Sequence, residues 1–126
     1  MATMQNDLHY DFEVCTIAVK TPSAKVVFST DATAGAHGHN AEEFIGRVEH
    51  CGQTPMQALV SANAIAADAI GMSDQLGKLA QGYEADIIAL DGDPLKDITA
   101  VRRVVFVMRG GVIYKWTGAM DQSSKK

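Results

Sequence analysis

Asp31 is the residue best placed in this sequence to do chemistry. It ends the apolar run 25–30 and precedes a polar, glycine-rich segment, residues 35–40. A carboxylate at the carboxyl end of a buried strand, where the chain opens into a loop, is a common arrangement in α/β enzymes. An aspartate that only caps the turn after a strand would have the same surroundings, so both interpretations stay open on position alone. No other cluster of ligand residues in the sequence could complete a metal or acid–base site around it.

Two histidines follow Asp31 within the same segment. His37 and His39 are separated by one residue, a spacing that in a strand would point both rings to one side and could bind zinc. Gly35 and Gly38 favour a loop here, and a loop does not enforce that alternation. We therefore interpret the two histidines as polar loop residues in preference to metal ligands.

The elements that must position this segment are a strand and the helices around it. Residues 25–30 predict a strand that is apolar on both faces, as parallel strands covered by helices are. We expect a helix over residues 11–20 before it, which ends because of Pro22. After it we expect a short helix with Asn40 as N-cap and Glu43 completing a capping box.

A longer helix is predicted after this pair. Thr54, Pro55 and Gln57 form a strong start signal: a capping threonine, a proline in the first turn and a glutamine that completes the capping box. Apolar residues then recur at three- and four-residue spacing until Gly71 ends the helix. The sequence thus predicts one continuous helix from Pro55 to the residue before Gly71.

The hydrophobic pattern changes from helical to strand-like in the second half of the chain. Residues 85–90 predict a short strand, and residues 101–108 and 112–116 predict a hairpin that turns at two glycines. The segment 77–82 lacks the Gly-Lys-Ser/Thr ending of a phosphate loop, so we interpret it as a tight turn. The predicted organisation is a frayed N-terminus over 1–10, a helix–strand–helix–helix segment over 11–75, β-strands over 76–117 and a flexible tail over 118–126.

Composition excludes several classes of partner. The net charge is −4 and the pI about 5.4, so we expect no nucleic-acid partner. No apolar stretch approaches the length of a membrane span, and the first residues have neither the basic region nor the apolar core of a signal peptide, so we expect no membrane partner. At 126 residues the sequence suits one domain and is shorter than a complete eight-fold α/β barrel.

The two cysteines bear on the cellular compartment. Cys15 and Cys51 are too few to form a disulfide framework. We therefore expect reduced, buried thiols and a cytoplasmic protein.

Several motifs, taken in order, resemble the last part of the amidohydrolase superfamily. They lie at residues 28–32, 37–44, 52–59, 76–82, 85–95 and 104–111. The resemblance covers roughly residues 12–116, and its closest group is the imidazolonepropionase-like and Xaa-Pro dipeptidase-like metal-dependent hydrolases. One departure is Ser29, where these relatives usually have glycine.

This resemblance implies an α/β fold: the last strand and helices of a (β/α)8 barrel, followed by strands of the β-sandwich that flanks it. In the family the barrel holds one or two divalent metals, often zinc. The ligands are a His-X-His pair, a carboxylated lysine or a glutamate, two later histidines and an aspartate that ends strand eight. Only that aspartate maps onto this sequence, at Asp31.

The resemblance also implies roles for individual residues. The strand-eight aspartate binds the metal and accepts the proton of the water that attacks an amide carbon, so Asp31 is the candidate catalytic and metal-binding residue. His37 and Asn40 match the loop beyond that strand, where a substrate-binding role is implied. One carboxylate cannot hold zinc tightly or specifically, so we expect no stably bound metal in this chain alone.

The leading hypothesis is the C-terminal portion of a metal-dependent amidohydrolase that hydrolyses C–N bonds and is inactive as an isolated chain. Its partner would be a complementary N-terminal barrel chain. The alternative is a stand-alone, non-catalytic interaction or oligomerisation domain derived from that family. A third hypothesis is an independent small enzyme that uses Asp31 with His37. The first two leave strand edges unpaired, so both predict a homo-oligomer that covers them.

Overall fold

The computed structural model of the protein describes residues 12–30 and 37–117. The predicted frayed N-terminus and flexible tail lie outside the described residues, as does Asp31. Within the described ranges the chain forms α-helices, one 3-10 helix and a three-stranded sheet. The elements are α1 over residues 12–20, α2 (Glu42–Glu49), α3 (Pro55–Ala62), α4 (Ala64–Ala69), β1 (Ile87–Leu90), the 3-10 helix (Ile98–Arg102), β2 (Val104–Arg109) and β3 (Val112–Trp116).

Helix α1 confirms the first predicted helix over its described residues and lies against the end of α2. The Phe12 ring contacts the His50 ring with centroids 4.5 Å apart, and Cys15 forms a disulfide with Cys51. The prediction of reduced thiols is therefore wrong. Packing of α1 brings the Cα atoms of the two cysteines to 5.5 Å although they are 36 residues apart, a proximity that cysteine spacing does not reveal. The cysteines no longer support a cytoplasmic location.

The start of α2 differs from the predicted capping box. Ala41 is the N-cap and no side chain caps the helix, so the predicted role of Asn40 is wrong. The carboxylate of Glu43 accepts a hydrogen bond from Nε of Arg47, 2.6 Å away, instead of turning back to the N-cap backbone. The guanidinium of Arg47 is preferred to the N-cap backbone N–H because both partners of that pair are ionised.

The capping box at α3 is confirmed. The backbone N–H of Gln57 donates to the Thr54 hydroxyl oxygen at 3.2 Å, and the backbone N–H of Thr54 donates to Oε1 of Gln57 at 2.8 Å. Two of the first-turn donors that an α-helix leaves without partners are thus satisfied.

The predicted single helix is interrupted at Asn63. This residue leaves the helical region, with φ −114° and ψ −85°, and its side-chain N–H donates to the Leu59 carbonyl at 2.8 Å. Gly77, with φ +85°, approaches so closely that a Cβ there would lie 2.7 Å from the Asn63 carbonyl oxygen. The break therefore accommodates the loop that follows α4, a tertiary contact that the helical periodicity does not contain.

The segment 24–30, which contains the strand predicted over residues 25–30, forms no β-ladder with any described part of the chain. Its N–H group at Phe28 donates to the Ser61 carbonyl at 3.3 Å. A parallel strand needs a parallel neighbour for its hydrogen bonds, and the strands that the structure describes pair with one another instead. The strand prediction therefore fails although the apolar pattern is present.

The sheet has the order β1-β2-β3 and is antiparallel throughout. The predicted hairpin is confirmed: Gly110 and Gly111 have φ +54° and +79°, the left-handed values that a two-residue hairpin loop of this kind needs. The Gly110 N–H donates to a carboxylate oxygen of Asp86 at 2.7 Å, which ties the loop to the residue before β1. Every residue of β3 is exposed.

Strand β2 begins at Val104, later than predicted, because the 3-10 helix occupies the preceding residues. Asp97 caps that helix by accepting the backbone N–H of Thr99 at 3.0 Å, and Arg103 pairs with the same carboxylate at 3.2 Å. The side-chain and backbone hydrogen bonds from Thr99, together with Arg103, hold the pKa of Asp97 below its ordinary value.

The hydrophobic core joins α2 to the 3-10 helix. Its buried residues are Ile45, Ile98 and Val101. Phe44, Val48 and Leu90 are among the partly buried side chains that pack on it, so α2 is helical with its apolar stripe inward, as predicted. The core thus spans the predicted boundary between residues 75 and 76. No described helix has the length and apolar character needed to cross a membrane.

Candidate functional site

The chain approaches the candidate catalytic residue along the segment 24–30. The structure describes this segment up to Thr30 and resumes at His37, so the position of Asp31 stays a prediction from the sequence. The flanking structure that it does describe is the turn before α2 and the contacts of Val27 and Phe28. These two features are the described surroundings of the segment 24–30.

His37 and Asn40 lie together in the turn that leads into α2, and both are exposed. The carbonyls of His39 and Asn40 accept the backbone N–H groups of Glu42 and Glu43 at 3.0 and 3.4 Å, which fixes the turn to the first residues of the helix. His37 and His39 are thus in a loop, as interpreted from the sequence. Within residues 12–30 and 37–117, no three histidine, cysteine or acidic side chains are grouped so that they could hold a metal ion.

An ion pair lies beside this turn. Nε of Arg102 donates to Oε1 of Glu42 at 2.7 Å, and the second nitrogen of the guanidinium pairs with the other carboxylate oxygen. The hydrogen bond from Arg102 holds the pKa of Glu42 below its ordinary value, and the same contact raises the pKa of Arg102. Both oxygens of the Glu42 carboxylate, in the first turn of α2, therefore already accept a hydrogen bond from Arg102.

A broad apolar groove separates the helices from the sheet. It encloses about 970 Å³ and is lined by Phe28, Phe44, Leu59, Leu76, Ile87 and Met108, among others. Asn40 lines its wall, and Lys78, Asp86 and Arg109 supply charge. The apolar lining suits contact with another polypeptide surface or an apolar substrate group more than capture of a small ion.

Arg47 was not singled out from the sequence, yet it is the buried charge nearest to the approach to Asp31. It is 7% exposed, and its Nη2 donates to the Val27 carbonyl at 3.1 Å. The guanidinium carbon lies 5.1 Å from the centre of the Phe28 ring. The sequence does carry a signal: position 47 is three residues after Phe44, on the apolar stripe of α2, where a charged residue must point inward.

The sequence profile of the Amidohydrolase family matches residues 8–114. The chain belongs to the amidohydrolase family. Its match covers the turn before α2, the helices and the sheet up to residue 114 in β3, so the resemblance inferred from the motifs is confirmed.

Relatives of this amidohydrolase chain point to the same group. It is 38% identical to the ochratoxinase of Aspergillus niger over 97 residues, which is 74% of this chain and 20% of that protein. It is 44% identical to the amidohydrolase tasK of Hapsidospora irregularis over 46 residues, which is 36% of this chain and 5% of that protein.

Solved structures agree with these relatives. A Xaa-Pro dipeptidase with bound methionine in its active site superposes with a TM-score of 0.78 at 33% identity, over 82% of this chain and 25% of that one. The A. niger ochratoxinase superposes with a TM-score of 0.72 at 32% identity, over 86% of this chain and 25% of that one. The amidohydrolase chain thus spans about a fifth of the ochratoxinase sequence, a quarter of each of the two solved structures and a smaller share of tasK.

Proposed function

We propose that this chain is the C-terminal portion of a metal-dependent amidohydrolase that hydrolyses amide, peptide or cyclic-amide C–N bonds. The family match over residues 8–114 carries the proposal, because it includes the segment that ends at Asp31. The similarity to a Xaa-Pro dipeptidase and to ochratoxinase supports a hydrolase of this kind. In architecture, the helices would complete a (β/α)8 barrel and the sheet would belong to the flanking β-sandwich.

Activity would require more polypeptide than the described residues provide. They contain no three-residue metal cluster, so they do not fit a metal by themselves. Asp31 would supply one oxygen ligand and accept a proton, while His37 and Asn40 would contact the substrate from the adjoining loop. The histidine ligands and the other barrel strands would come from a complementary N-terminal barrel polypeptide, in the same chain or in another.

A chimera tests this proposal directly. The matching C-terminal part of A. niger ochratoxinase is replaced by this chain, and hydrolysis of the host enzyme's own substrate is measured with zinc or manganese. We expect turnover, loss of turnover in Asp31→Asn, and no turnover by this chain alone against dipeptides and N-acyl amino acids. A folded chimera whose activity is the same with and without the Asp31 carboxylate would overturn the assigned role.

A second candidate function is a non-catalytic interaction or oligomerisation domain. It is favoured by the exposed apolar residues of β3, among which Tyr114 is 70% and Trp116 53% exposed. The two candidates differ in their dependence on metal. Zinc binding by the ochratoxinase chimera, measured by calorimetry and weakened by Asp31→Ala, would support the hydrolase portion, whereas zinc binding and stability of the chimera that Asp31→Ala leaves unchanged would support the interaction domain.

A further inference from the structure

The approach to Asp31 has few backbone contacts of its own. The segment 24–30 forms no β-ladder with the described residues, and its described backbone hydrogen bond to another element is the one from Phe28 to Ser61. A chain segment without a ladder samples many directions unless side chains restrain it. The end of this segment therefore depends on contacts from α2 and α3.

Arg47 supplies the directional contact from α2. Its guanidinium donates to the Val27 carbonyl through Nη2 and lies over the Phe28 ring, so it contacts two successive residues of the segment. The same ring packs against Phe44 with centroids 4.2 Å apart. Val27 and Phe28 are four and three residues before Asp31 in the sequence, so the contacts of Arg47 restrain the part of the chain that leads to the candidate catalytic residue.

The burial of Arg47 carries a substantial desolvation cost. Its Nη1 is buried without a hydrogen-bond partner among the residues that the structure describes, and Glu43 compensates the charge through Nε at 2.6 Å. A methionine at the same place on the apolar stripe would fill similar volume and avoid that cost. Unlike methionine, the arginine has a rigid planar guanidinium that donates hydrogen bonds to both the Glu43 carboxylate and the Val27 carbonyl.

We propose that Arg47 is a positioning residue that holds the segment 24–30, which leads to Asp31, in position against α2. The catalytic meaning of this position rests on the proposed function, because that function gives Asp31 its task. The restraint itself does not, since it follows from the contacts of Arg47 with Glu43, Val27 and Phe28.

Amide hydrogen exchange of the full chain by NMR tests the proposal. In Arg47→Met the amide of Phe28 should exchange about tenfold faster or more, as loss of a hydrogen bond to a charged group implies. The amide signals of residues 27–31 should shift with it. Amides in α3 and α4, such as those of Ala58 and Ala67, should change no more than in the control.

The matched control is Arg102→Met. Arg102 also pairs with a glutamate of α2, but its side chain is 50% exposed and has no described hydrogen bond to the segment 24–30. Arg47→Lys keeps the charge and one donor and should retain part of the protection; it replaces the methionine variant if that one fails to fold. Uniform acceleration of all amides, or an unchanged Phe28 amide, would overturn the proposal. A folded chimera that is equally active with and without the Asp31 carboxylate would refute the task of Asp31 and leave this exchange result standing.

Discussion

At the scale of single residues, the side chains that could take part in a reaction differ from those that hold neighbouring elements in place. Asp31 was accessible to sequence reasoning because a carboxylate follows an apolar run, whereas the roles predicted for His37 and Asn40 came from the resemblance of their segment to the family. Arg47 was missed although its place on the apolar stripe of α2 is a signal, because an arginine in a helix is ordinarily solvated. Only the packed structure reveals that this one is 7% exposed and bonded to another element.

The pair of Glu42 and Arg102 predicts an acid-dependent loss of stability. Because the pKa of Glu42 is lowered in the folded state, its stabilisation is fully present above the ordinary value of 4.5 and is lost as the pH falls through the lowered value. Urea unfolding should show Glu42→Gln to be less stable than the unaltered chain at neutral pH. The difference should shrink as the solution is acidified below that ordinary value.

A double-mutant cycle supplies the control for this pH effect. Arg102→Gln should destabilise the unaltered chain at neutral pH and have little further effect in Glu42→Gln. Both effects should be small and weaken in salt, because the two side chains are about half exposed. A gap between the unaltered chain and Glu42→Gln that widens on acidification would contradict the assigned direction.

At the scale of elements, local signals succeeded where local contacts decide. The capping box of Thr54 and the two-glycine hairpin loop involve neighbours in sequence, and both formed as predicted. The capping box predicted at Asn40 does not form, because the Glu43 carboxylate pairs with the buried Arg47 one turn later. The strand over 25–30 failed because its partners are not in the described chain, a requirement that its own apolar pattern cannot supply.

The break between α3 and α4 predicts that alanine destabilises the chain more at Gly77 than at Gly82. Gly77→Ala should lower the free energy of unfolding by about 2 kcal/mol or more, since it combines a left-handed φ with a Cβ 2.7 Å from the Asn63 carbonyl oxygen. Gly82→Ala is the control: its φ is +89° but open space surrounds the added Cβ. It should cost only about 1 kcal/mol. Equal urea midpoints for the two variants would show that the contact with Asn63 is unimportant.

At the scale of the whole molecule, the described residues 12–30 and 37–117 form a small core. Among them Cys51 and Ser61 are the largest fully buried side chains, and the buried hydrophobic cluster consists of Ile45, Ile98 and Val101. The exposed apolar groove and the exposed strand β3 border this core. Two features should therefore matter more than usual: the disulfide, and association with another surface.

The disulfide should contribute substantially to stability. Closing a loop over a sequence separation of 36 residues stabilises by about 3–4 kcal/mol in the chain-entropy treatment. Alkylation of the native chain without reductant should modify neither Cys15 nor Cys51, and reduction should lower the melting temperature. Cys15→Ser is the control, because it should expose one alkylatable thiol at Cys51 after unfolding. Two reactive thiols in the freshly isolated, unreduced chain would contradict the disulfide.

Self-association follows from the surface that the sheet leaves uncovered. Within the described residues β3 is an edge strand, and its Val112, Ile113, Tyr114 and Trp116 are all at least half exposed. Contiguous apolar surface on an unpaired edge is the feature that natural proteins usually cover. Sedimentation velocity at micromolar concentration should therefore detect a species larger than the monomer.

A matched pair of variants locates the contact. Tyr114→Lys places a charge on the edge strand and should shift the population toward monomer, because burying an unpaired ammonium in an interface costs several kcal/mol. Ile70→Lys adds the same charge at a side chain of similar exposure, 65% against 70%, after the end of α4 and away from the sheet. It should leave the distribution unchanged. If the unaltered chain is monomeric, the argument for a homo-oligomer fails, and the complementary barrel polypeptide remains as the surface that covers β3. If both lysine variants have equal effects, the contact between copies does not involve β3.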